Sequence, residues 1–191
     1  MAVEIELKAW VDNPEDIKHR LSGWGTFCCH YEKADVYWTL ETENPLTLRV
    51  RRESRKAPDG VTVESVLVTS KTREIHGGIE VNDEREFNVS DGILFQEILD
   101  RLGMRPGIRK EKRGWAWKSD QGEGLPPVLA ELSEVKRLGW FIELEIISDS
   151  RSEQSLRENR RRLFDLLEKL GIPPEKTEPR AYSEMLRALE E

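Results

Sequence analysis

Three charged residues at the start of the chain, Glu4, Glu6 and Lys8, alternate with Ile5 and Leu7. In an extended strand that spacing puts all three charges on one face. Near the other end Phe141-Ile142-Glu143-Leu144-Glu145-Ile146 repeats the pattern, with Glu143 and Glu145 on one side and large apolar residues on the other. Two acidic strands so alike are expected to share one site. Between them, Thr47, Arg49, Arg51 and Glu53 share a face, Lys71 follows Thr69, Glu84, Glu86 and Asn88 align, and Lys110 aligns with Lys112. Each strand alone reads as an ordinary antiparallel strand with one wet face, where exposed ion pairs contribute little. Taken together, the polar faces are almost wholly charged, and closing eight such strands into a barrel would turn those faces inward. A tunnel of carboxylates and Lys/Arg side chains matches polyphosphate with a divalent metal: guanidinium and ammonium groups neutralise phosphate oxygens, and carboxylates hold hard cations such as Mg²⁺ or Mn²⁺.

Those faces have to be positioned by strands, and period-two segments broken by turn clusters such as Ala57-Pro58-Asp59-Gly60 and His76-Gly77-Gly78 supply them. The expected strands run roughly over 2–10, 34–41, 46–53, 62–71, 79–89, 107–118, 128–135 and 140–147. Helices are expected after Asn13-Pro14, after Ser90-Asp91 with a stop at Gly103, from Ser152 to Leu170-Gly171, and over roughly 180–190. The basic segment Arg109-Lys110-Glu111-Lys112-Arg113 allows two registers, and a one-residue slip would exchange its inward set. Lys110 and Lys112 are the preferred inward pair.

The 191 residues are enough for one core, and no linker-like stretch divides them, so one domain over 1–191 is expected. Asp and Glu exceed Lys and Arg by only 37 to 30, for a net charge of −7, which argues against nonspecific nucleic-acid binding. No apolar run reaches the length of a membrane span, so a soluble cytoplasmic protein without a membrane or nucleic-acid partner is the expectation. Adjacent Cys28 and Cys29 suit neither a disulfide nor a zinc site, and His19, His30 and His76 sit in unrelated contexts. No Gly-rich phosphate loop or Ser/His/Asp arrangement is present.

The ordered series of motifs resembles the CYTH superfamily, also called triphosphate tunnel metalloenzymes. It begins with E-x-E-x-K at Glu4, Glu6 and Lys8. It continues through Asp35-Val36-Tyr37-Trp38, Leu48-Arg49-Val50-Arg51, Lys71, Arg85-Glu86, Lys110-Glu111-Lys112 and Phe141-Ile142-Glu143-Leu144-Glu145, to Arg180-Ala181-Tyr182-Ser183-Glu184-Met185-Leu186. The resemblance implies an α+β fold, a closed eight-stranded antiparallel β-barrel or tunnel with flanking helices, which binds ATP, tripolyphosphate or another triphosphate with Mg²⁺ or Mn²⁺. It assigns Glu4, Glu6 and Lys8 to catalysis, with Lys8 on the phosphate chain. Arg49, Arg51, Lys71, Glu86, Lys110 and Lys112 go to substrate binding, and Glu4, Glu6, Glu131, Glu143 and Glu145 to metal. One departure stands out: Ser133 occupies a position where many members carry Asp, and Glu131 is the nearest acid on that face.

Spacings around Ile98–Gly103 and Glu134–Phe141 look most like the class IV adenylyl cyclase branch, which converts ATP to cyclic AMP and pyrophosphate. An inorganic or organic triphosphatase would use the same tunnel with water as nucleophile. A polyphosphate- or nucleotide-binding module without turnover is a further reading, supported by Ser133. The oligomeric state is open, a homodimer included, and Tyr37, Trp38, Trp115 and Trp117 are aromatic residues that could face a base or pack against helices.

Overall fold

The computed structural model describes residues 3–43, 45–119 and 125–190; Ala2, where the first strand is expected to begin, lies outside them. Eight antiparallel strands are present: β1 Val3–Trp10, β2 Thr26–Leu40, β3 Leu46–Lys56, β4 Thr62–His76, β5 Ile79–Asn88, β6 Arg105–Ser119, β7 Val128–Val135 and β8 Gly139–Ser148. They close into a barrel in the order β1-β5-β4-β3-β2-β6-β7-β8. Helix α1, Pro14–Trp24, follows β1; α2, Gly92–Arg101, follows β5; α3, Glu153–Lys169, follows β8; and a short α4, Tyr182–Arg187, ends the chain beyond one turn of 3-10 helix.

Sequence explains the helix boundaries locally. The side chains of Asn13, Asp91 and Ser152 each accept a hydrogen bond from a first-turn backbone N–H, and Pro14 needs no such partner. Gly103 and Gly171, both at positive φ, turn the chain away after α2 and α3. The last helix is shorter than the expected 180–190: Arg180 lies in a bend and Ala181, its N-cap, is extended, so the helix runs only over Tyr182–Arg187.

The barrel is apolar outside and charged inside. Ile5, Leu7, Ile142, Leu144 and Ile146 on its outer face form one core with Leu21 of α1 and Leu163, Leu166 and Leu167 of α3. A second apolar cluster joins Trp38, Val50 and Val68 to Leu99 of α2. The alternate positions of the same strands face the lumen. β2 is longer than expected, because its inward face changes from Cys29 and Tyr31 to Lys33 and Asp35 and so breaks the simple alternation. Lys110 and Lys112 are buried and point inward while Arg109 and Arg113 are exposed, which fixes the register of β6. Gly114 lies where β6 and β7 come closest: a Cβ there would stand 2.1 Å from the Leu132 carbonyl oxygen.

Candidate functional site

A cavity of about 650 Å³ runs through the barrel, lined by as many glutamates as Lys and Arg side chains together. Opposite charges alternate on it. Glu131 accepts from Lys33 at 2.6 and 2.9 Å and from Lys112 at 2.9 Å, and Lys112 also donates to Glu143. Asp35 takes a two-pronged contact from Arg51, at 2.8 and 3.0 Å, and pairs with Lys110 at 2.9 Å. Lys71 reaches Glu4 at 2.8 Å, Glu6 at 3.4 Å and Glu84 at 3.6 Å. Arg49 donates to Glu84 and to the Thr69 hydroxyl, which in turn donates to Glu86.

Burial and pairing set the protonation of these groups. Burial pushes the Asp35 carboxyl up, but Lys110 and Arg51 outweigh it and hold the group well below the usual carboxylate range. Glu131 behaves alike under Lys112 and Lys33. For Lys112 the order is mirrored: burial lowers it, Glu131 and Glu143 more than restore it, and it ends well above its ordinary value. At Lys33 burial prevails and the ammonium is pushed down. Glu145 makes no ion pair among the described residues, and Lys33 offsets its neighbours only in part. Burial and then Glu4, Glu131 and Glu6 raise its carboxyl well above the ordinary value. Glu80 is raised to about 7 by burial and Glu6, in spite of Lys8 and Arg73.

One end of the lumen is closed by the end of the chain. Thr177 bridges to Ala9, and the Glu178 N–H donates to the Lys8 carbonyl at 2.8 Å. Inward-facing Val135 and Phe141 pack against Tyr182 and Met185. Lys8 donates to the Arg180 carbonyl at 2.6 Å and lies 4.4 Å from the centre of the Tyr182 ring. Arg73 is held by Glu184 at 3.2 Å and by the Pro179 carbonyl. The Tyr182 phenol is buried without a hydrogen-bond partner, and burial together with Glu143 and Glu6 holds its proton on.

This geometry decides the family question: a model of the CYTH domain matches residues 2–182. The chain belongs to the CYTH family. CYTH tunnel enzymes act on triphosphates with divalent metal ions. Among solved structures, the PH1819 protein from Pyrococcus horikoshii is 25% identical over 97% of this chain and 99% of that chain, with a TM-score of 0.79. A putative adenylate cyclase from Vibrio parahaemolyticus is 19% identical over 96% and 97%, TM-score 0.72. A putative adenylyl cyclase from Hippeastrum, described as revealing a dominant triphosphatase activity, is 16% identical over 98% and 96%, TM-score 0.58. The last two share the fold with this chain. No curated protein matches it in sequence.

All the residues that the family resemblance singles out, Glu4, Glu6, Lys8, Arg49, Arg51, Lys71, Glu86, Lys110, Lys112, Glu131, Glu143 and Glu145, line this one cavity. Of the aromatic residues, Tyr37 lines it too, whereas Trp38 and Trp117 are packed into the outer apolar clusters and Trp115 stacks on Trp140. Ser133, on the same face as Glu131, is fully buried, and its hydroxyl faces that of Tyr31 without a hydrogen bond of good geometry. Lys33, Arg73 and Glu80 are not among the residues singled out from the sequence, and Tyr182 enters there only as part of a family motif, with no site role. The Lys33–Asp35 spacing was the signal for the first of these. Tyr182 reaches the cavity only through the fold of the chain's end.

The donor set fits a hard divalent cation. It consists of carboxylate oxygens, and Glu145, opposite Glu6 on the neighbouring strand, is a carboxyl that burial and its acidic neighbours keep protonated and that a bound cation would ionise. Among the described residues no three acidic side chains converge on a metal position as they stand; Glu4, Glu6, Glu131 and Glu143 are turned instead to Lys71 or Lys112.

Proposed function

We propose that this tunnel binds a triphosphate together with Mg²⁺ or Mn²⁺ and hydrolyses it. The observation that carries the reading is the self-neutralised interior, in which Lys33, Lys110, Lys112 and Lys71 each meet a carboxylate of the same wall. An anion alone would take Lys112 or Lys71 and leave carboxylates bare beside phosphate; a cation alone would strand the lysines. The two together satisfy both sets, so metal and polyphosphate bind as one unit. In this reading Lys8, Arg49, Arg51, Lys71, Lys110 and Lys112 hold phosphate oxygens, Glu86 orients Arg49 through Thr69, and Glu4, Glu6, Glu131, Glu143 and Glu145 supply metal oxygen ligands. The metal, when bound, withdraws charge from the attacked phosphoryl group. Water then forms a bond to the terminal phosphorus as the bridging P–O bond breaks, and the side chains stabilise the charge left on the departing diphosphate.

Hydrolysis is favoured over cyclisation because charged side chains make up most of the cavity lining, which suits a substrate made of phosphate. The adenylyl cyclase reading rests on Tyr37, an aromatic ring lining the cavity 5.9 Å from Lys110, where a purine could stack. Phosphorus NMR with ATP and tripolyphosphate in separate samples containing Mg²⁺ or Mn²⁺ tests both. Orthophosphate from tripolyphosphate is the expected product. Pyrophosphate with cyclic AMP from ATP would replace hydrolysis by cyclisation, and no product from either would leave a binding module. One domain, a cytoplasmic setting and the absence of membrane or nucleic-acid partners belong to the same proposal; no helix among the described residues is long and apolar enough to cross a membrane.

A further inference from the structure

The described interior contains one polar group supplied from outside the barrel strands that has no partner of its own. The Tyr182 hydroxyl is carried into the lumen by the end of the chain, on a side chain 5% exposed, and it makes no hydrogen bond. Its ring is surrounded by the lysines assigned above to phosphate: Lys8 at 4.4 Å, Lys110 at 5.1 Å and Lys112 at 6.0 Å from the centroid. A buried O–H donor left unmade costs free energy that only an acceptor can return. Glu143 lies close enough to influence the phenol, yet it is engaged by Lys112. Behind the ring, Phe141, Val135 and Met185 pack into an apolar cluster that contributes no side chain to the cavity wall and forms an apolar stop.

We infer that Tyr182 is a substrate contact: its O–H donates to an oxygen of an unesterified terminal phosphate, which is seated against the closed end of the tunnel. The inference rests on the triphosphate reading and adds a direction to it. The free phosphate end enters first and stops at Tyr182, and any organic group on the other end remains toward the open mouth. Substrates are therefore singly substituted or unsubstituted triphosphates, and a chain esterified at both ends is excluded because its buried end would offer a bulky group to the apolar stop.

The test uses the whole protein with Mg²⁺, calorimetric titration and thermal melting. Tyr182→Phe keeps the ring and its packing and removes only the unpartnered hydroxyl. It is expected to bind tripolyphosphate about tenfold or more weakly, while its ligand-free melting temperature is unchanged or raised; a structural role for the hydroxyl would lower that temperature. Diadenosine triphosphate, substituted at both ends, is expected not to compete with tripolyphosphate on the wild-type protein. If the wild type binds tripolyphosphate and Tyr182→Phe binds it equally well, or if diadenosine triphosphate competes as strongly as ATP, the inference is overturned and the triphosphate reading stands. If the wild type binds no tripolyphosphate, both are overturned.

Discussion

Replacing Glu131 with Gln removes one negative charge from the centre of the tunnel and leaves its shape nearly intact. Glu131 is the shared counter-ion of Lys33 and Lys112, and all three are buried. Removing one partner of a buried ion pair typically costs 3–5 kcal/mol. Here Lys112 retains Glu143 and Lys33 retains Glu53 at 3.5 Å, so the loss is placed near the lower end, about 3 kcal/mol. For a chain of this size that corresponds to a fall in melting temperature of roughly 6–12 °C. The sign with pH follows from the depressed carboxyl: its stabilisation is fully present above the ordinary 4.5 and is lost as pH falls toward the folded value, so wild type and variant converge in acid. Metal-free tripolyphosphate should reverse the ranking of response. The variant's two under-matched lysines welcome an anion without exposing a third charge, so its melting temperature should rise more on adding tripolyphosphate with EDTA than the wild type's does. Differential scanning calorimetry across pH, with and without the anion, reads both effects. A fall of less than about 2 °C, or an anion response no larger than the wild type's, would refute the picture of an interior held by mutual neutralisation.

Glu80, raised to about 7, keeps its proton longer in the folded than in the unfolded chain, so its ionisation costs stability as pH rises from the ordinary 4.5 through 7. Glu80→Gln should therefore stabilise the ligand-free protein by about 2–3 kcal/mol at pH 8.5 and by nothing at pH 4, which urea unfolding at the two pH values would show. Gly114→Ala should lose at least about 3 kcal/mol or fail to fold, since its methyl would force β6 and β7 apart; urea unfolding at unchanged stability would disprove that close approach. Glu6→Gln should lower turnover of tripolyphosphate at least about 10²-fold while the ligand-free melting temperature stays close to the wild type's, and wild-type turnover would remove Glu6 from the catalytic set.

Much of the fold could be read from sequence because most strands carry a uniform alternation. On β1 and β8 every inward position near the site is charged and every outward one apolar, so strand, face and role are read together. The first half of β2 escaped because its inward residues change from Cys29 and Tyr31 to Lys33 and Asp35 partway along, and no single period describes both halves. The lumen itself is a product of closure: Lys33 and Glu131 are far apart in sequence and meet only because β2, β6 and β7 are neighbours in the barrel. Pairing partners are thus invisible before topology is known, even where each charge is correctly placed on an inward face. Tyr182 was hidden for a different reason. It lies on a short amphipathic helix, where a tyrosine reads as packing, and only the bridge of Thr177 to Ala9 brings it over the barrel's end.

The closure of the barrel by its first strand also bears on how the protein is made. β1 is made before the other seven strands of the barrel, yet one of its neighbours is β5 and the other is β8, the last of the eight. At about 5–20 residues per second, β1 waits for several seconds with both edges unpaired. An apolar strand in that position would template aggregation, and charged side chains on an exposed edge are a common protection against it. Glu4, Glu6 and Lys8 therefore act in the nascent chain before the tunnel exists, keeping β1 soluble until β5 and β8 arrive. Neutralising all three should reduce soluble yield during synthesis even under conditions where no substrate is present.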